Sequence, residues 1–391
     1  MEVSILVGFT ICLTLAFLFS ELFYSFKYPR VVGQIIAGII LGLPFIKVYF
    51  GEEFTSFISS LSDIGVVFLL LLVGTEVKVD ELRKVSKRAI YLAVLGYIIP
   101  FTIGFLAMTM LKFEALSAVI VGICLAISAE AITVETLIEY KLLNTDVGAT
   151  IMEAGMIDDF LGIFSLAAVI GIAQGGGIDS VKSMPGEFLT FIAIAYIIGF
   201  TILPKAAKKV WKEKSEAAVF SLAVIFGLIV VLLSNIFDLS SIVGAFVAGM
   251  IIQLSIKNKR EEQEIVESLE IVTFGLVIPF FFIFIGMNFN VLNFLDDLPF
   301  ILLLVTLALS GKMMAAHIMG ARHKMVNVER TLIGWGINPR GAVELVIASI
   351  ARANGLISGE VFSAIIAMAV IAALVSPVMF RRTLSSWKDT G

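Results

Sequence analysis

Charge is scarce in this sequence. Of 391 residues only 15% are Asp, Glu, Lys or Arg, against about 25% in soluble domains. That shortage, with 59% hydrophobic residues and a mean hydropathy of +1.03, excludes a soluble globule and points to a polytopic membrane protein. Cysteine is nearly absent as well. Cys12 and Cys124 both lie in apolar segments, which excludes a disulfide framework and a thiolate metal cluster. No basic run exists to hold a nucleic acid, and the net charge is −4. The first apolar stretch, Val3 to Phe23, has neither a basic leader nor a small-residue cleavage motif, so it reads as a retained span.

What is present is a series of apolar segments about 17–25 residues long, the length a bilayer core requires. Thirteen are expected, centred near Thr14, Gly38, Leu69, Pro100, Ala126, Leu161, Tyr196, Leu228, Ala248, Phe281, Leu307, Arg340 and Ala369. Short polar connections join them, and Ala173 to Glu187, with four glycines and Pro185, reads as a loop. Basic residues orient the chain. With the N-terminus outside, only Lys47, Lys112, Lys182 and Arg352 fall in outer loops, and only Lys312 and Arg340 fall inside spans. All other lysines and arginines lie in inner loops, so the C-terminus is expected inside.

The halves resemble each other. "VVGQIIAGIILG" from Val31 matches "IVGAFVAGMIIQ" from Ile242, and "LLLLVGTEVKV" from Leu69 matches "FFIFIGMNFNV" from Phe281. The partners are separated by an odd number of spans, so the repeats are expected to be inverted, as in secondary transporters that work by alternating access. We place a first repeat at 31–174, a linking span at 187–204 and a second repeat at 217–382. In such folds the binding site forms where helices break at equivalent positions. Pro339 in "GINPRGAVEL" removes a backbone donor and interrupts one span. The equivalent stretch, "CLAISAEAITVE", carries Ser128, Glu130, Thr133 and Glu135, polar groups able to satisfy unwound backbone.

Ionisable residues inside spans mark function, because each costs roughly 2.5–3.5 kcal/mol at the bilayer centre on insertion scales. "MEAGMIDDFLGIF" places Asp158 and Asp159 side by side. Successive helical residues project about 100° apart, so the two acids cannot face one partner. We expect Asp158 to pair with Lys312 of "LALSGKMMAAHIM", leaving Asp159 as the cation ligand. Ser128 and Glu130 are candidate further ligands. Arg340 cannot be deprotonated and suits a clamp, with Glu153 or Glu130 as its acid. His317 and His323 sit at or beyond the inner end of their span and read as ordinary interface residues.

Together "PRVVGQIIAGIILG", "LSDIGVVFLLLLVGTEVKVDELRK", "MIDDFLGIF" and "NPRGAVELVIA" resemble the monovalent cation:proton antiporters, and within them the second branch, sodium/proton antiporters similar to NapA. The resemblance covers nearly the whole chain. It implies an all-α polytopic fold of 13 transmembrane helices, with inverted repeats and two crossing discontinuous helices. It implies a homodimer, with a mobile core domain at roughly 58–174 and 271–382 and a dimerisation domain at roughly 1–57 and 187–270. It gives Asp159 the cation, pairs Asp158 with Lys312, and implies electrogenic exchange of two protons per Na+. No enzyme activity and no cofactor beyond the transported Na+ and H+ are expected. Lipid is the surrounding partner, in the cytoplasmic membrane of a prokaryote, with no nucleic acid and no soluble nucleotide-binding domain. Glu130 departs from the Thr or Asp usual in relatives, and Glu153 is one residue further from Asp159 than in the NhaP-like branch. A potassium/proton antiporter, or a channel or symporter on the same scaffold, is the alternative. An intramembrane aspartyl protease is improbable, because adjacent acids on one helix cannot share a proton at about 3 Å.

Overall fold

The computed structural model describes residues 4–76, 85–143, 145–171, 177–205, 216–237, 239–256, 259–292, 294 and 296–388. Side chains at 76, 130–131, 135, 159, 163, 166–171, 177–185, 216, 259–262 and 387–388 lie outside that description. Among the described residues the regular structure is helical throughout, which is what lipid demands, since a helix satisfies its own backbone. In chain order the helices are α1 (Ile5–Ser25), α2 (Arg30–Leu41), the short α3 (Pro44–Lys47), α4 (Glu52–Glu76), α5 (Lys87–Met110), α6 (Ala115–Ala126), α7 (Glu130–Glu139), α8 (Asp146–Gly171) and α9 (Gly177–Thr201). There follow α10 (Glu216–Ile236), α11 (Ser241–Ser255), α12 (Lys259–Val272), a π-helical turn (Thr273–Val277), α13 (Ile278–Met287), α14 (Leu298–Arg322), α15 (Asn327–Gly336), α16 (Ala342–Ala353) and α17 (Gly359–Lys388).

Eight described helices are long and apolar enough to cross a membrane: Ile5–Ser25, Glu52–Thr75, Lys87–Met110, Gly186–Lys205, Ala217–Ile236, Gln263–Met287, Leu298–Arg322 and Gly359–Ser386. The other five expected positions fall on α2, α6 with α7, α8, α11 and α15 with α16. One expectation is corrected. The chain is helical from Gly177, with Pro185 inside α9, so the expected loop is helix over 177–187, and its first four residues, 173–176, lie outside the described residues. Ile178 to Met184 contains no breaker.

The chain divides into two compact units. One comprises Met1–Ala16, Lys47–Glu81 and Ala167–Phe284; its core gathers Leu71, Leu72, Phe191, Val247 and Ile251. The other comprises Phe17–Ile46, Leu82–Leu166 and Ile285–Gly391, and one of its cores gathers Leu92, Ile151, Leu332, Ile333 and Phe380. Glycines let backbones touch inside each unit. In the first unit a Cβ on Gly74 would strike the Phe246 carbonyl oxygen and then the Met250 amide. In the second a Cβ on Gly286 would strike the Ile35 carbonyl oxygen and then the Ile39 amide. Phe246 and Met250 each follow Ile35 and Ile39 by 211 positions, and Gly286 follows Gly74 by 212. The approach of Gly122 to Phe101 recurs 212 positions later as that of Gly334 to Met313.

Candidate functional site

Two interruptions in the second unit build the site. α6 stops at Ala126 and α7 starts at Glu130; α15 stops at Gly336 and α16 starts at Ala342. Pro339 cannot donate to a helix, and the backbone groups freed at each break are taken up by the other. The Ala129 amide donates to the Pro339 carbonyl (2.8 Å), and the hydroxyls of Ser128 and Thr133 donate to the carbonyls of Ile337 (2.8 Å) and Gly336 (2.6 Å). Arg340 donates through Nη1 to the Ile127 carbonyl and through Nη2 to that of Ala308 (3.4 Å). Asn338 ties the second break to α14, its Nδ2 reaching the Leu309 carbonyl at 3.1 Å.

Against this crossing α8 presents Asp158 and α14 presents Lys312, which are 4% and 1% exposed. Asp158 Oδ2 accepts from Lys312 Nζ at 2.6 Å and from the Ser128 hydroxyl at 2.6 Å, while Oδ1 is buried with no hydrogen bond among the described residues. α5 passes beside the ammonium at Gly96, where a Cβ would lie in ordinary contact, 3.7 Å from Lys312 Nζ. Further along α5, Tyr97 hydrogen-bonds Ser165 of α8. Asp158 and Lys312 thus form a buried ion pair, in which loss of either member leaves the other charge uncompensated.

Of the residues singled out in the sequence, the structure brings together Ser128, Asp158 and Lys312. The side chains of Asp159 and Glu130 lie outside the described residues; their backbones belong to α8 and to the first turn of α7. Glu153 and Arg340 are not brought together. Glu153 accepts from the Ser86 amide (2.9 Å), at the start of α5, where a helix N-terminus favours an anion. Five residues separate Glu153 from Asp158, turning it about 140° away from the crossing.

Glu344 takes a place that sequence reasoning missed. It is 0% exposed in α16; its Oε1 accepts from the Gly341 amide and its Oε2 is buried without a hydrogen bond. Its charge acts on both Arg340 and Lys312, so two acids and two bases share this interior. The signal was available: an acid in an apolar stretch carries the same presumption of function as Asp158.

Comparison with known proteins agrees with this architecture. The profile described as "Sodium/hydrogen exchanger, transmembrane" matches residues 9–385. A Na+/H+ antiporter of Enterococcus hirae is 27% identical over 372 residues, spanning 93% of each chain. GerN of Bacillus cereus, named a Na+/H+–K+ antiporter, is 26% identical over 92% of this chain and 90% of its own. The solved structure of the sodium proton antiporter MjNhaP1 from Methanocaldococcus jannaschii superimposes with a TM-score of 0.68 at 17% identity, covering 95% of this chain and 94% of that one. The fold is thus that of these antiporters, and the chain belongs to the transmembrane sodium/hydrogen exchanger family.

Proposed function

We propose that this chain exchanges Na+, or Li+, for H+ across the membrane by alternating access, with the cation and protons competing for the Asp158–Asp159 carboxylates. The observation that carries the reading is the dry Lys312–Asp158 pair beside the crossing, with Asp159 the next residue on α8. Adjacent acids on one helix point about 100° apart, so Asp159 is left for the cation while Asp158 is held by Lys312. A hard cation prefers oxygen ligands, which Asp159, Ser128 and the freed carbonyls of the breaks supply. As Na+ enters, it competes with the ammonium for Asp158; the pair opens and protons leave. The presence of both Asp158 and Lys312 resembles the electrogenic members of the second branch of the superfamily, which implies two protons per Na+.

The recurrence of close glycine approaches at offsets of 211–212 supports two repeats of opposite orientation, and with them thirteen spans. We further propose a homodimer, with a core domain at 58–174 and 271–382 and a dimerisation domain at 1–57 and 187–270. The basic residues support an N-out, C-in placement in a prokaryotic cytoplasmic membrane. The test is cation/proton exchange in everted vesicles, with Na+, Li+ and K+ offered in turn. Wild type is expected to exchange Na+ or Li+, and Asp159→Asn to abolish exchange. Exchange that survives in Asp159→Asn refutes the assignment, and a preference for K+ replaces the substrate.

A further inference from the structure

A cavity of about 480 Å³ lies where the end of α1 and the following turn meet α7 and α17, and neither Ser128, Asp158, Lys312 nor Arg340 lines it. Its walls divide by chemistry. Lys27 and Arg381 bring positive charge, Tyr24, Tyr28 and Tyr140 bring hydroxyls, and Ile132, Ile138 and Pro377 make an apolar floor. Arg30, whose guanidinium stacks 4.3 Å from the Tyr24 ring, adds a third cation beside the opening. The acids are Glu139, which accepts from Lys27 Nζ at 2.6 Å, and Glu21, which pairs with Arg30 at 3.1 Å.

Arg381 is the unspent group. It is half-buried, and among the described residues it makes no hydrogen bond or ion pair, although it feels the charges of Lys27 and Glu139. A guanidinium has five donors in a rigid fork that fits a phosphate. Lys27 commits one ammonium contact to Glu139 and keeps two donors. Around this cavity large apolar side chains face outward: Leu22 is 49% exposed, Phe26 64% and Ile138 58%. In a membrane protein such a rim lies against acyl chains, and tyrosines with lysine and arginine mark the headgroup level. The occupant that matches cations, hydroxyls, an apolar floor and a lipid-facing rim is amphiphilic.

We infer that this cavity binds the phosphate-bearing headgroup of an anionic phospholipid, held by Arg381 and Lys27 with its acyl chains over Ile138. Its lining shares no residue with the Ser128–Asp158–Lys312 cluster, and the inference does not depend on the transport reading.

The full-length protein, purified in detergent, is melted with added phosphatidylglycerol, phosphatidylcholine or inorganic phosphate, and bound lipid is counted by native mass spectrometry. Phosphatidylglycerol is expected to raise Tm by several degrees and to remain bound at one site, with phosphatidylcholine and phosphate much weaker. Arg381→Gln and Lys27→Gln should each lose most of that shift, and Arg381→Lys should keep part of it. Equal stabilisation by phosphatidylcholine overturns the headgroup assignment. So does an undiminished shift in Arg381→Gln and Lys27→Gln. Stabilisation by phosphate alone, with none from phosphatidylglycerol, also overturns the inference, because it makes the cavity a site for a free anion. Should Arg381→Gln fail to fold, Lys27→Gln and Arg381→Lys decide alone.

Discussion

Asp158→Asn removes the charge opposite Lys312 and leaves the lysine in place, 1% exposed, with no other carboxylate within pairing distance among the described residues. The ammonium must then stay charged without a counter-ion or give up its proton. Breaking a buried pair from one side costs about 3–5 kcal/mol. Discharge sets a ceiling that depends on pH: from an ordinary lysine value near 10.4 it costs about 4.6 kcal/mol at pH 7 and about 1.9 at pH 9, at 1.36 per unit. The variant is therefore expected to melt roughly 5–10 °C below wild type at pH 7, and to recover more than half of that gap at pH 9. Asp158→Asn/Lys312→Gln, which removes both charges, should lie within about 1 kcal/mol of wild type, since a neutral pair can replace a buried ionic one. The assay is thermal denaturation in detergent for wild type, both single variants and the double. A single-variant penalty below about 1 kcal/mol, or a double variant no better than the singles, would mean that another group takes up the ammonium. The pair would then not be the anchor of the site.

Four further outcomes follow from particular contacts. Gly74→Ala is expected to cost more than 2 kcal/mol in thermal denaturation, because its Cβ meets the Phe246 carbonyl, which no rotamer can move. Gly96→Ala should cost nothing or add about 0.5–1 kcal/mol, since its Cβ finds only ordinary contact with Lys312 and Ile337 in mid-helix. Glu344→Gln leaves Arg340 and Lys312 facing one fewer acid; a Na+ KM raised at least several-fold, with folding intact, is the expected kinetic signature, and an unchanged KM would remove Glu344 from the site. The hydrogen bond and charge of Lys27 hold the Glu139 carboxyl below its usual range, so their contribution to stability is present above the ordinary carboxylate value and fades as pH falls through the lowered one. Wild type should out-melt Glu139→Gln slightly at pH 7, and the two should converge in acid.

Part of this architecture was legible from the residues because the bilayer leaves few solutions: apolar length and costly interior charges each have one physical reading. The break at Pro339 followed from a missing donor, and Lys312 and Asp158 each needed a neutralising partner. Azimuth was harder to read. Glu153 was a candidate acid for Arg340, yet its position about 140° round the helix from Asp158 sends it to the Ser86 amide. Glu344 passed unnoticed because, three residues after Gly341, it resembles a helix-capping acid, and it does cap; its second oxygen lies in the interior all the same. The segment before Pro185 was misread because three glycines suggested a loop, while the seven residues from Ile178 to Met184 are free to coil.

The stoichiometry tests the central claim most directly. In proteoliposomes without a pH gradient, an exchanger of two protons for one Na+ moves one net charge per cycle. A tenfold Na+ gradient should then be nulled by an imposed potential of about 59 mV, with flux reversing on either side of it. Flux that no potential alters would contradict the account, for it would mean that Lys312 and Asp158 carry no charge through the cycle.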